Sequence, residues 1–262
     1  MNEVTSMIFY FSSTGNDKYA AARIAESTKD TMYSVSGCMH DGHFSYALKE
    51  GENFGLVVPT YFGGFPNIII DFLEKLDIQW SDGNYVFFVG TYGANCGNIG
   101  QEAFRRLEKL GRKPDAAFTI KMVDNWNPYF NMNDKDYISK AESEAESAIG
   151  DVVQKISNHV KTDIPAKNMP TILQAFSTHL YHSYCKTRKF AVSSACIGCG
   201  LCERQCPVNA IKLKDKKPVW VKPECTLCLG CVHRCPVNAI SYTKKTVGHG
   251  QYFNPNTEPD IR

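Results

Sequence analysis

The sequence predicts an α/β protein: a doubly wound, five-stranded parallel sheet covered by helices, then a small α+β unit. Three observations predict it. Over residues 6–123, short and almost continuously apolar runs alternate with stretches of helical periodicity, as in a parallel sheet buried on both faces. Three of these runs lead into loops rich in Gly, hydroxyl and aromatic residues, and ligands of such sheets bind beyond the carboxyl ends of the strands. The last quarter carries one cysteine spacing twice, Cys-x2-Cys-x2-Cys-x3-Cys-Pro, at 196–207 and 225–236.

The first strand is read at 6–12 and the first helix at 17–29, where Tyr19, Ala20, Ala21, Ile24 and Ala25 have helical spacing. Between them lies Ser12-Ser13-Thr14-Gly15-Asn16-Asp17. Hydroxyls and a glycine at the start of a helix offer a phosphate side-chain donors, free N–H groups and the helix dipole. A short strand near 31–36 pairs beside the first. Further strands are read at 53–59, 84–91 and 116–123, and helices at 66–76, 97–110 and 134–161. The second ligand loop is Pro59-Thr60-Tyr61-Phe62-Gly63-Gly64-Phe65-Pro66, and the third is Gly90-Thr91-Tyr92-Gly93-Ala94-Asn95-Cys96-Gly97. Two aromatic, Gly-containing loops suit a planar ring. The loop at 124–133 lies on the same edge, where Trp126 and Tyr129 either cover that ring, wall a substrate pocket or simply cap the sheet.

The cysteine repeat is offset by 29 residues at every cysteine, and both copies continue as Pro-Val-Asn-Ala-Ile. This is the bacterial pattern for two 4Fe-4S clusters, in which the fourth Cys of each run ligates the other cluster. One cluster is then expected on Cys196, Cys199, Cys202 and Cys235, the other on Cys225, Cys228, Cys231 and Cys206. Zinc sites also use Cys-x2-Cys, but zinc gives no reason for a third Cys three residues on and then Cys-Pro, duplicated.

At 262 residues the length suits one large or two modest domains. We expect a sheet domain over 1–161, a connector over 162–189 that packs a helix between the parts, the cluster domain over 190–245 and a tail over 246–262. Eight of the eleven cysteines fall in the repeat, which argues against a secreted disulfide framework. Cys38 and Cys185 are expected as small buried groups. No signal sequence or stretch of about 18 apolar residues is found, so a cytoplasmic chain without a membrane span is expected, and nothing points to nucleic acid. Residues 1–160 carry 14 Lys/Arg against 21 Asp/Glu, a net of −7, whereas residues 161–262 carry 15 against 6, a net of +9. Two oxidised clusters at about −2 each leave the second part near +5. Either this half steers an acidic redox partner, or Lys212, Lys214, Lys216 and Lys217 merely solvate a hairpin. His179 and His182 show no converging metal set. In the tail, Gln251-Tyr252-Phe253 are expected to anchor the chain, without chemistry.

Ser-Ser-Thr-Gly-Asn-Asp is similar to the Ser-x-Thr-Gly-Asn-Thr phosphate loop of flavodoxins. With the two aromatic loops and the cluster motifs, the chain over roughly 6–245 resembles the flavodoxin–ferredoxin fusion proteins of anaerobic bacteria. The resemblance implies a flavodoxin-like strand order 2-1-3-4-5 and FMN. Ser12, Ser13, Thr14, Gly15 and Asn16 would surround the phosphate. Thr60, Tyr61, Phe62 and Gly63 would lie on one side of the ring, and Thr91, Tyr92, Gly93, Asn95, Cys96 and Gly97 on the other. Asp17 departs from the pattern, since flavodoxins offer a Thr hydroxyl there; it is expected to turn outward and serve the first helical turn, where an acid is favourable.

Three functions stay open. One is an electron carrier passing electrons between a ferredoxin-type donor, two 4Fe-4S clusters and FMN. Another is a terminal FMN-dependent reductase of a small molecule (a quinone, nitro compound or enone) fed through the clusters. The third is a non-redox binding module. No general-base dyad, nucleophile elbow, Walker loop or nicotinamide fingerprint is present.

Overall fold

In the computed structural model, which describes residues 6–260, the elements run β1 (Met7–Tyr10), α1 (Asn16–Thr28), β2 (Thr31–Ser34), α2 (Val35–Asp41), β3 (Ser45–Ala47), β4 (Asn53–Pro59), α3 (Asn67–Lys75), β5 (Asp77–Gln79), β6 (Tyr85–Tyr92), α4 (Ile99–Lys109), β7 (Ala116–Lys121) and α5 (Lys135–Ser157). There follow α6 (Thr171–Tyr184), β8 (Phe190–Val192), α7 (Leu201–Arg204), β9 (Ile211–Lys214), β10 (Lys217–Trp220), α8 (Gly230–His233) and β11 (Ile240–Tyr242). Residues 1–5 of the expected first domain and 261–262 of the tail lie outside the described residues.

The main sheet has the order β2-β1-β4-β6-β7, all parallel. Counted within the sheet this is 2-1-3-4-5, the flavodoxin-like order. Strand alternation sorts its side chains. Met7, Phe9, Phe54, Leu56, Val58 and Phe88 enter a core with α2, α3 and α4. Ile8, Tyr10, Val57, Phe87 and Val89 enter another with α1 and α5. Two covered faces account for strands with no polar alternation. Asp134 caps α5 by accepting from the N–H of Tyr137 at 3.0 Å.

The sequence reading missed α2 and the short parallel pair β3–β5. Three-residue strands carry too little periodicity to register. Residues 162–189 contain α6. The Tyr181 hydroxyl of α6 accepts from the N–H of Asn67 at 3.2 Å and donates to the carbonyl of Thr226 at 3.0 Å. The C-terminal core gathers Tyr181, Cys185, Ile211, Leu227, Leu229 and Tyr242, and Phe62 and Trp126 of the first part pack on it. The tail is anchored by Tyr252, which is buried with Val123, Met132 and Ile138. Among the described residues no helix is long and apolar enough to cross a membrane.

Candidate cofactor sites

The two cysteine runs fold alike. Gly198 and Gly200 in the first have φ of 69° and 76°, and Leu227 and Leu229, their equivalents 29 residues on, have φ of 55° and 54°. Asn209 and Asn238 of the repeated pentapeptide are left-handed as well, a conformation that Asn adopts readily and Leu only at a cost. Alternating left-handed residues curl each run so that its first three cysteines face one cavity. The first cavity is lined by Cys196, Cys199, Cys202 and, from the other run, Cys235. The second is lined by Cys225, Cys228, Cys231 and, again from the other run, Cys206.

All these thiols are free. Burial pushes the Cys202 thiol up to about 11 and those of Cys225 and Cys228 to about 12, and holds Cys231 well above the ordinary thiol range. A thiolate there requires a cation, and a coordinating metal deprotonates a thiol outright. The Ala210 N–H donates to Cys206 Sγ and the Ala239 N–H to Cys235 Sγ, each at 3.2 Å; such bonds tune cluster potentials. Among the described residues no three His, Cys, Asp or Glu side chains converge on a single ion. A cubane does not ask them to, because each thiolate meets a different iron and the four surround a volume. The donor set fits that group.

A third cavity, of about 300 Å³, opens at the carboxyl edge of the sheet. Ser13, Thr14, Asn16, Thr60, Tyr61, Phe62, Gly63, Thr91, Tyr92, Gly93 and Asn95 line it. Ser12, Gly15, Cys96 and Gly97 do not. Ser12 Oγ accepts from the N–H of Gly15 at 3.1 Å, and Cys96 Sγ accepts from Asn168 at 3.1 Å. Gly97 packs directly on the backbone of Gly63, where no Cβ would fit, so it braces the loop opposite. Phe62 is held at φ 52° by paired bonds between Tyr61 and Gly64, at 2.9 and 3.1 Å. Its carbonyl accepts from Ser177 Oγ at 2.7 Å. Left-handed strain in a non-Gly residue of this kind collects at functional sites.

Asp17 corrects an expectation. It turns inward, is 4 % exposed and accepts from Thr91 Oγ1 at 2.7 Å. Closing the gap between two loops outweighs the weak dipole benefit of a solvated acid in the first helical turn. Desolvation lifts its pKa to about 7. Asp124 also lines the cavity and is raised by burial, and none of the described lining residues is Lys, Arg or His. Thr60 Oγ1 is buried without a hydrogen-bond partner, a polar atom left for a bound group. Trp126 lines the cavity and meets Phe62 edge-on at 5.7 Å. Tyr129 is 63 % exposed, stands outside the lining and lies under Lys245. His179 and His182 are exposed. Buried Cys38 meets the Tyr46 hydroxyl at 3.2 Å, and Cys185 is fully buried.

The sequence reading missed the wall that the C-terminal part contributes. Leu227, Cys228 and Leu229 line both this cavity and the second cysteine cavity, and Ser13 Oγ donates to the carbonyl of Cys228 at 2.7 Å. The signal was present as two leucines standing where the sister run has glycines.

Residues 195–240 match the family model of a 4Fe-4S dicluster domain. The chain joins a flavodoxin-like sheet to a 4Fe-4S dicluster domain. Solved structures similar to it include a Streptococcus pneumoniae TIGR4 flavodoxin, 16% identical over 56% of this chain and 99% of that one, TM-score 0.34. Megasphaera elsdenii flavodoxin is 18% identical over 54% and 99%, TM-score 0.33. Rubredoxin oxygen:oxidoreductase of Desulfovibrio gigas is 16% identical over 59% of this chain and 38% of its own, TM-score 0.35. The flavodoxin-like assignment rests on the strand order and not on these likenesses. No curated protein matches the chain.

Proposed function

We propose that this chain is an electron-transfer iron–sulfur flavoprotein that carries FMN and two 4Fe-4S clusters. It exchanges single electrons with a redox protein, for which an acidic ferredoxin suits the basic C-terminal part. Cys196, Cys199, Cys202 and Cys235 would hold one cluster, and Cys225, Cys228, Cys231 and Cys206 the other. The flavin ring would lie between the Tyr61–Phe62 and Tyr92–Gly93 loops, with Thr60 Oγ1 turned to it. Its phosphate would meet the N–H groups at the start of α1 beside Ser13 and Thr14. The clusters supply one-electron exchange and the flavin one- or two-electron exchange.

What supports the reading is one continuity: the second four-cysteine cavity and the loop-walled cavity share Leu227, Cys228 and Leu229. A carrier also suits the size of the third cavity, since about 300 Å³ is the lower end of the range for small-ligand sites. A terminal reductase of a quinone, nitro compound or enone would need room for a second molecule over the ring, and Tyr129 does not widen the space. Protein purified without oxygen should contain about eight iron atoms and one FMN, with flavin bands released on denaturation. Full iron content with no flavin would overturn the flavin assignment. Steady turnover of a quinone by the protein alone, supplied continuously with a chemical reductant, would favour the reductase.

A further inference from the structure

His233 sits on α8 between Cys231 and Cys235, 4 % exposed, and both its ring nitrogens are engaged. Nε2 lies 2.9 Å from the carbonyl of Asn125, and Nδ1 accepts the main-chain N–H of Tyr252 at 3.2 Å. An acceptor on one side and a donor on the other define a neutral ring protonated at Nε2.

Each partner of the ring continues to the phosphate loop. Asn125 Nδ2 donates to Thr14 Oγ1 at 2.6 Å. The Tyr252 hydroxyl donates to Asn16 Oδ1 at 2.8 Å, and Asn254 Nδ2 reaches the same oxygen at 3.2 Å. The Asn254 N–H also bonds the carbonyl of Thr14 at 2.8 Å. At the other end, Gln251 Nε2 donates to the carbonyls of Val232 and Cys235 at 2.7 and 2.8 Å. Phe253, Asn254 and Thr257 close over Gly15, whose φ is 93°. Two hydrogen-bonded arms therefore run from the 231–235 segment to the 14–16 segment.

We propose that His233 and Gln251–Asn254 form a positioning relay through which the order of the cysteine run sets the shape of the phosphate loop. Cluster loading then strengthens FMN binding, and FMN strengthens cluster retention. The inference rests on the flavin reading above. The physical reason is that a loop whose N–H groups must converge on an anion is penalised by every alternative conformation open to it. The arms remove those conformations only while Cys231–Cys235 is itself fixed. Coupling of this kind is reciprocal for binding free energies.

The test uses cluster-loaded protein and FMN as probe. Tyr252→Phe keeps the buried ring and the main-chain bond to His233 but loses the hydroxyl's bond to Asn16 at 2.8 Å and its longer contact with Glu142 at 3.3 Å. FMN should bind about fivefold to tenfold more weakly, with the electron paramagnetic resonance of both clusters unchanged. His233→Gln, which retains an N–H for Asn125, should bind FMN more tightly than His233→Ala. Amide hydrogen exchange at residues 13–17, measured without flavin, should be faster in Tyr252→Phe, and stripping iron with a chelator should accelerate it in the wild type. Exchange at 13–17 that ignores both changes overturns the relay. A wild type that takes up no FMN sinks the flavin reading instead, and the exchange result alone then decides the relay.

Discussion

Asp17 is buried against Thr91 with its pKa lifted to about 7 by desolvation, so its charge changes near neutral pH. An acid raised in the folded state keeps its proton while the unfolded chain gives it up. Its contribution to stability is therefore intact below the unfolded pKa of about 3.9 and is lost as pH rises towards 7. At pH 8 the loss is on the order of 4 kcal/mol at most. Asp17→Asn should raise the melting temperature of flavin-free protein at pH 8, and the advantage should vanish below about pH 4, as thermal unfolding across pH will show. FMN affinity should also fall in the wild type above pH 7, when a carboxylate faces the phosphate, and fall less in Asp17→Asn. Leu227 and Leu229 make a related point: a left-handed leucine is tolerated only where the side chain is wanted, and both are 3 % exposed in the wall between two cavities.

At the level of elements, α7 and α8 act as a pair, because each run closes its cavity with a cysteine that follows the helix of the other. Cys235→Ser should alter the resonance of the cluster on Cys196, Cys199 and Cys202 and spare the other; Cys206→Ser should do the reverse. Loss of the opposite signal would mean uncrossed ligation. The cysteine runs were legible beforehand, since a duplicated spacing repeats its own evidence, but the short helices α7 and α8 within them were not read. The main strands were legible too, because burial on both faces leaves them uniformly apolar. The inward turn of Asp17 was not, because Thr91 stands 74 residues away and only the fold brings its hydroxyl near. Nor was His233, whose neighbours in sequence say nothing of Asn125 or Tyr252.

Across the whole molecule the charge division has a location. Lys217 Nζ donates to the carbonyl of Cys196 at 3.1 Å and Arg204 Nη1 to that of Cys199 at 3.0 Å, while Lys216 lies on Gly198. Cys199 is the exposed cysteine of the eleven, beside Ile197 at 63 % exposure. Cations thus gather where a cysteine of the first cavity reaches the surface. Reversing Lys214, Lys216 and Lys217 to Glu should slow reduction by an acidic ferredoxin about tenfold or more at low salt, and far less at high salt, where exposed charges are screened. Stopped-flow rates against ionic strength will check this. A rate indifferent to salt in both proteins would leave the lysines as ordinary hairpin solvation.

The bond from Asn254 to Thr14 also has a consequence in time. Chains fold from the N-terminus as they are made, so the sheet and its Ser12–Asp17 loop leave the ribosome long before Tyr252 and Asn254 exist to hold that loop. A nascent chain halted anywhere before residue 250 would present the strands of a flavodoxin-like sheet without the groups that brace its first loop. On the proposed reading, flavin would then bind the unfinished chain more weakly than the finished one, because residues 252 and 254 follow both cysteine runs in the sequence.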